Sequence, residues 1–374
     1  MPPSPSDVRV SPYDALVLVS FGGPEKPEDV VPFLENVTRG RGIPRERLEE
    51  VGEHYFRRGG RSPINDINRT LSEAIGADLR DHGIDIPVYW GNRNWDPYLA
   101  DTVARMRSDG VTRAACFVTS AYSSYSSCRQ YREDLAAASE HASQHAAADA
   151  VEHAGEDGPR LDRLRSYYNH PGFLDPVVDA VAEAVTDRPG ARLVFVTHSI
   201  PEPMNAGSGP HGGAYLAQHR NAAAYVASRV ATVTGQEHPM DLVFCSRSGP
   251  PPVPWLEPDV NDHLEKLAGD GVRSVVLIPI GFVSDHMEVL FDLDTEALAT
   301  AERLGLDAVR VSTPGTDARF VAMVRDLLVE RAAVERGEPA DRVAVGGDPA
   351  CWDLCAQGCC PNPRGEKPAL GGAA

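Results

Sequence analysis

The sequence predicts an α/β protein made of two similar Rossmann-like domains, each with a parallel sheet, separated by a cleft. Three observations predict it. Short apolar runs alternate with longer helix-compatible segments, the pattern of parallel strands joined by right-handed crossovers. The two halves open alike, with VLVSFGGPE at 17–25 and LVFVTHSIPE at 193–202, each a hydrophobic strand ending in a polar turn with Pro-Glu. A length of 374 residues suffices for two medium domains with full cores.

Taken in order, residues 1–12 are Pro/Ser-rich and read as disordered, and 15–20 (ALVLVS) as a strand buried on both faces and ended by Gly22-Gly23-Pro24. Helices are expected at 28–37, 71–80 and 97–108, and strands at 88–90 and 114–119, before the polar loop TSAYSSYSSCRQY. Residues 136–157 are rich in Ala, His and acid. Their His141, His145 and His153 read as part of a solvated helical insertion, because no acidic or cysteine partner repeats with them at ligand spacing. The second half repeats the plan. Strands are expected at 191–196, 242–246, 274–280 and 308–311, helices at 215–233, 260–268, 288–303 and 317–333, and a Pro-rich turn, GPPPVPWLEPD, before the second of these helices. The expected domains are 12–165, with 310–340 packing back on it, then 166–309, then a cysteine-rich tail at 341–374.

A charged fraction of 24% and a hydrophobic fraction of 42% are ordinary for a globular protein. The net charge of −18 argues against a nucleic-acid partner and against a basic lipid-binding face. No apolar run approaches the roughly 18 residues of a membrane span, and MPPSPSDVRVSPYD lacks a signal-peptide core, so a cytoplasmic protein is expected. Neither a dinucleotide-binding nor a P-loop glycine motif is found.

Chemistry concentrates at two strand ends, where ligands bind in open α/β sheets. One carries His198 in THSIP; the other carries GFVSDHME, with Glu288 followed at four-residue intervals by Asp292 and Glu296. Like charges at that spacing cost stability on a bare helix. A solvated helix face is the usual explanation of such a run. Here the apolar Phe282, Val283, Met287, Val289 and Leu290 surround its first acid, which favours a ladder leading inward to protons or a metal.

These segments, with VSFGGPE (19–25), GGRSPIN (59–65), YWGNRNWDP (89–97), SSYSSCRQY (123–131) and SRSGPPPVPWLEPDV (246–260), resemble the ferrochelatase family over nearly the whole chain. The resemblance implies a chelatase-like fold with a porphyrin cleft between the domains and insertion of Fe(II) with loss of two pyrrole protons. It implies that His198 faces the pyrrole nitrogens as proton acceptor or iron ligand, that Glu288 stands across the macrocycle, and that Asp292 and Glu296 extend a polar path. Ser62 and Tyr131 match positions that hold the porphyrin's carboxylates. Arg39, with Arg41, Arg57, Arg58 and Arg61 near the same segments, suits propionates, although surface arginines are the plainer reading for most of them. Phe21 stands where some relatives carry a metal-touching tyrosine, so an axial tyrosine ligand from this turn is excluded.

RGRGIP, SRSGPPPVPW and the tail resemble actinobacterial members of the family, and that resemblance implies coproporphyrin III as substrate, with protoporphyrin IX as runner-up and neighbouring haem-pathway enzymes as partners. Of seven cysteines, four crowd into 351–360. This C-x3-C-x3-CC tail resembles that of cluster-bearing ferrochelatases, which implies a [2Fe–2S] cofactor on Cys128, Cys351, Cys355 and Cys360, with Cys359 spare. Zinc would use the same residues. Cys116 and Cys245 read as buried strand residues. A cobalt or nickel chelatase would typically carry a two-histidine site instead, and a haem- or cluster-sensing module would not need both His198 and Glu288.

Overall fold

The computed structural model describes residues 10–144, 158–248 and 252–372. His145 and His153 lie outside the described residues; His141 sits on the helix Gln130–Gln144.

Two four-stranded parallel sheets form the frame. In the first, β1 (Ala15–Ser20), β2 (Val88–Asn92), β3 (Arg113–Val118) and β4 (Arg160–Arg163) lie in the order β2-β1-β3-β4. In the second, β5 (Arg192–His198), β6 (Met240–Cys245), β7 (Ser274–Ile278) and β8 (Asp307–Arg310) lie in the order β6-β5-β7-β8. The two orders are the same pattern, so the likeness of VLVSFGGPE and LVFVTHSIPE extends to whole-sheet topology. In each, the strand order reverses beside the first strand of the half, and the carboxyl end of that strand borders the crevice where such sheets bind ligands. His198 closes β5 at this point, opposite Cys245 of β6.

Each sheet is covered on both faces, which is why its central strands read as unbroken apolar runs. One continuous core joins the inner faces: Leu16, Leu18 and Phe117 of the first sheet share it with Leu193, Phe195, Val276 and Ile278 of the second. The helices α3 (Ile64–Asp81), α6 (Pro171–Thr186), α8 (Ala214–Thr234, after the short α7 at Glu202–Ala206) and α11 (Ala318–Glu335) supply much of the rest. Of these, α11 packs on both α3 and α6. On the outer faces, α4 (Leu99–Ser108) and α5 (Gln130–Gln144) cover the first sheet. Helices α9 (Val260–Gly269) and α10 (Leu298–Leu304) cover the second.

Between sheets and site stands a helical pair, α1 (Val30–Val37) and α2 (Arg45–Phe56), whose apolar residues Val30, Phe33, Leu34, Leu48 and Tyr55 close on Met287 from the second half. His54 stacks on Phe291 at 3.6 Å between centroids, and Arg58 donates to Leu290 O at 3.0 Å and to Thr295 Oγ1 at 2.9 Å. The first half thus reaches across to the segment bearing the acids. That segment is not the expected regular α-helix: Val289–Ala297 winds wider, as a π-helix, before α10. A second π-turn, Tyr125–Arg129, carries Cys128. Wide turns of this kind are rare and gather at functional sites.

Candidate active site

The loop after β5 is clamped on several sides. Ser199 N–H donates to Cys245 O at 2.8 Å and its hydroxyl to Leu256 O at 2.7 Å, while Leu256 N–H returns to Ile200 O at 3.0 Å. The Pro-rich turn is therefore what holds THSIP in place. Beneath it, Tyr215 of α8 donates its hydroxyl to His198 O at 2.7 Å and lies 3.0 Å from Thr197 Oγ1. Thr197 Oγ1 also meets His219 Nε2 at 2.8 Å, and His219 Nδ1 meets Tyr215 O at 2.7 Å. Burial pushes His219 down to about 3, so it is neutral, and its ring stacks on Tyr122 at 3.5 Å. Gly281 after β7 is required because a Cβ there would stand 2.1 Å from Thr197 Oγ1.

His198 Nδ1 sits 2.5 Å from Ser199 O. A carbonyl only accepts, so Nδ1 carries a proton, and in the neutral form of the ring the lone pair is the one on Nε2. Nε2 faces Glu288 Oε1 at 3.8 Å, and the other carboxylate oxygen of Glu288 stands 4.0 Å from His286 Nδ1. The structure therefore brings His198 and Glu288 together on the side formed by the second half, both part-exposed, with side chains 33% and 52% accessible, and at 3.8 Å no macrocycle fits between them, which corrects the expected placing of Glu288 across the macrocycle from His198. Asp292 follows one step inward. It accepts a hydrogen bond from Ser246 Oγ. Burial pushes its carboxyl up to about 6 against that bond, with Glu288 and Glu296 adding to the rise. Glu296 is raised too, by burial and by Asp259.

The opposite wall comes from the first half. Phe21 is 37% exposed at the end of β1 and meets Phe33 edge-on at 6.2 Å; Phe33 meets Tyr55 at 6.1 Å, and Tyr55 lies in the field of Glu288. Tyr131 and Phe21 are linked by Arg93, whose guanidinium lies 4.9 Å and 5.7 Å from their ring centroids and 3.0 Å from Asp134. Arg41 is pushed below its usual value by burial and by the nearby cations Arg364 and Arg93. Three guanidiniums sharing one region suit carboxylates. Ser62 is buried, its hydroxyl accepting from Ile64 N–H at 3.5 Å behind Gly23. Arg39 and Arg61 are engaged with Asn36 and Asp66.

In the tail, Cys128, Cys355, Cys359 and Cys360 pack as one buried group, with the last two sulfurs 3.7 Å apart. Cys360 Sγ accepts from Gly209 N–H at 3.2 Å. This set differs from the expected one. Cys351 belongs to the main core, 3.8 Å from Gln218 Nε2, and Cys359 takes its place beside the other three. Adjacent cysteines ordinarily point apart; Cys360 adopts φ of 53°, which turns both thiols to one side. Cys116 and Cys245 are buried strand residues, as expected. Residues that sequence reasoning left out are Arg93, Tyr215, His219 and Ser246. Arg93 and Ser246 stood within quoted motifs, whereas Tyr215 and His219 gave no local signal.

A histidine lone pair opposed to a file of carboxylates, at the switch point of paired parallel sheets, defines a chelatase-type protein. The solved structure of SirB from Bacillus subtilis with Fe3+ shares this fold, with a TM-score of 0.50 and 12% identity over 87% of this chain and 98% of that one. The family model named Ferrochelatase matches residues 13–332, and the chain belongs to the ferrochelatase family. It is similar to the coproporphyrin III ferrochelatase of Streptomyces griseus, 56% identical over 379 residues covering 98% of each chain. It is also similar to that of Streptomyces coelicolor, 55% identical over 99% of this chain and 98% of the relative, and to that of Frankia alni, 52% identical over 94% and 87%.

Proposed function

We infer that the chain is a coproporphyrin III ferrochelatase, a lyase that inserts Fe(II) into coproporphyrin III to give coprohaem and releases two pyrrole protons. The observation that carries it is the His198–Glu288 pair, 3.8 Å apart, in a chain this similar to enzymes of that name.

Metallation requires two pyrrole N–H protons to leave as iron enters. The Nε2 lone pair of His198 suits the first acceptance, because a neutral imidazole takes a proton readily near neutral pH. The imidazolium so formed would face Glu288 Oε1, whose charge favours it. Asp292, with a carboxyl at about 6, is poised to take up and release protons in the working range, and Glu296 continues the path. Guanidiniums of Arg41, Arg93 and Arg364, with Tyr131, supply donors for propionates, and Phe21 offers an apolar face to the macrocycle. A substrate with four propionates makes more use of such a wall than protoporphyrin IX does. Initial rates of ferrous insertion into coproporphyrin III and protoporphyrin IX, measured side by side, test the reading. Coproporphyrin III should be metallated faster; preference for protoporphyrin IX would overturn it.

For the tail we propose a [2Fe–2S] cluster held by Cys128, Cys355, Cys359 and Cys360. Among the described residues no three ligating side chains are arranged to hold a single metal ion. The four thiols pack as one buried group, with the Cys359 and Cys360 sulfurs 3.7 Å apart, and four thiolates is the number a two-iron cluster takes. Bound there, the cluster would supply a one-electron centre and a covalent tie between the Cys128 turn and the tail. Iron and acid-labile sulfide in anaerobically purified protein test this, and stoichiometric zinc would refute it.

A further inference from the structure

The segment VLFDLDTEA, which carries Asp292 and Glu296, takes the rare π-winding rather than the common α-helix, and side chains from three other elements grip it. Ser246 bonds Asp292 from just beyond β6, and Arg58 of the first half bonds Leu290 O and Thr295 Oγ1. The third grip comes from Arg310, the last residue of β8. All five of its N–H donors are engaged. Nε and Nη2 fork onto Asp294 at 2.6 and 2.9 Å, while Nη1 and Nη2 fork onto Asp285 at 3.2 and 3.1 Å. The fifth hydrogen reaches Val311 O at 3.4 Å.

Asp285 precedes Glu288 in the chain, and Asp294 follows Asp292. One guanidinium therefore ties down both ends of the stretch that bears the two acids. The side chains of Arg310, Asp285 and Asp294 are 12%, 26% and 22% accessible, and Thr313 Oγ1 adds a bond to Asp285 at 3.0 Å. Two bidentate forks on one planar ion fix direction as well as distance, which a lysine ammonium cannot do. Without the guanidinium the two carboxylates, which meet at Nη2, would face each other half-buried and unpaired, and their repulsion would push the stretch open. The bonds of Arg310 go to Asp285, Asp294 and Val311, so its hold on Glu288 and Asp292 runs through the chain between.

We propose that Arg310 is a positioning residue for metallation: its double fork sets the path of the chain from Asp285 to Asp294, and with it the place of Glu288 and Asp292 beside His198. This rests on the ferrochelatase reading given above and adds to it a residue that acts on the acids at one remove. A misplacement of about 1 Å at reacting groups costs on the order of a hundredfold in rate, so loss of the fork falls on the chemical step. Porphyrin binding is spared, because Arg93, Tyr131 and Phe21, which suit the macrocycle and its carboxylates, belong to the first half.

The test uses the full chain as wild type, Arg310→Gln, Arg310→Lys and Asp294→Asn. For each, kcat and KM for ferrous insertion into coproporphyrin III, porphyrin binding by fluorescence quenching, and Tm are measured. Arg310→Gln is expected to lower kcat about 10- to 100-fold with KM for the porphyrin within about twofold of wild type. Arg310→Lys keeps the charge and most of the Tm, yet should recover only a small part of kcat. A role confined to charge or stability requires kcat to return with Tm in the lysine variant, and that result would overturn the proposal. So would wild-type kcat in Arg310→Gln. If Arg310→Gln does not fold, Asp294→Asn bears the test, because it removes one fork and leaves Arg310 on Asp285. It should lower kcat about tenfold, and an unchanged kcat would overturn the proposal equally. Wild-type protein that metallates no porphyrin would refute the ferrochelatase reading, and a crystal structure of Arg310→Lys would then judge the positioning by itself. A displaced Glu288 would support it; a Glu288 standing beside His198 as in the wild type would overturn it.

Discussion

Replacing Asp292 by asparagine should make the protein more stable and the enzyme slower. In the folded chain the carboxyl of Asp292 is raised from 3.8 to about 6, chiefly by burial, against the hydrogen bond from Ser246. The unfolded chain gives up this proton near 3.8 and the folded chain only near 6. Between those values the folded state holds more protons, so its stability falls as pH rises through this window and levels off above it. Two units at about 1.36 kcal/mol each give a cost of roughly 3 kcal/mol at pH 8, an upper limit that residual solvation reduces, and about half of it at pH 5. Asparagine removes the charge, keeps an acceptor for Ser246 Oγ, and escapes the cost. Urea unfolding at pH 8 and pH 5 should therefore show a stabilisation that is about twice as large at the higher pH. Ferrous insertion at pH 7 should fall by about ten- to a hundred-fold, because the path inward from Glu288 loses a titratable group. A variant that is less stable than wild type at pH 8, or equally stabilised at both pH values, would refute the burial account.

Glu288→Gln keeps the shape of the side chain facing His198 Nε2 but not its charge, and should cut kcat for metallation by about 10²-fold or more with folding intact; circular dichroism and initial rates check this. Tyr215→Phe removes the hydroxyl that donates to His198 O, leaving that carbonyl without its partner. It should cost about 1–3 kcal/mol of unfolding free energy and lower kcat several-fold with little change in KM, because the imidazole is then less firmly aimed.

The sheets were legible because each central strand is buried on both faces and so appears as an apolar run, as in Ala15–Ser20 and Ser274–Ile278. The His198 and Glu288 strand ends were legible for the same reason, since each polar motif directly follows such a run. Helix α2 was not. Its sequence RERLEEVGEHYF is half charged, and its few apolar residues gain meaning only through the neighbouring α1 and through Met287, more than 200 positions away. The support under His198 was equally hidden, because Thr197 of β5 meets Tyr215 and His219 of α8 only after those two elements pack. In the tail, composition located the cysteines but not their facing, which depends on the left-handed turn at Cys360. The wide turn at Val289–Ala297 left no mark beyond the four-residue spacing of the acids.

The most direct test of the account is the initial rate of Fe(II) insertion into coproporphyrin III by wild type and His198→Ala, followed anaerobically by loss of free-base fluorescence. The account predicts rapid metallation by wild type and a fall of about 10²- to 10⁴-fold in the variant, with coproporphyrin binding retained. A His198→Ala protein that metallates coproporphyrin III at the wild-type rate would contradict it.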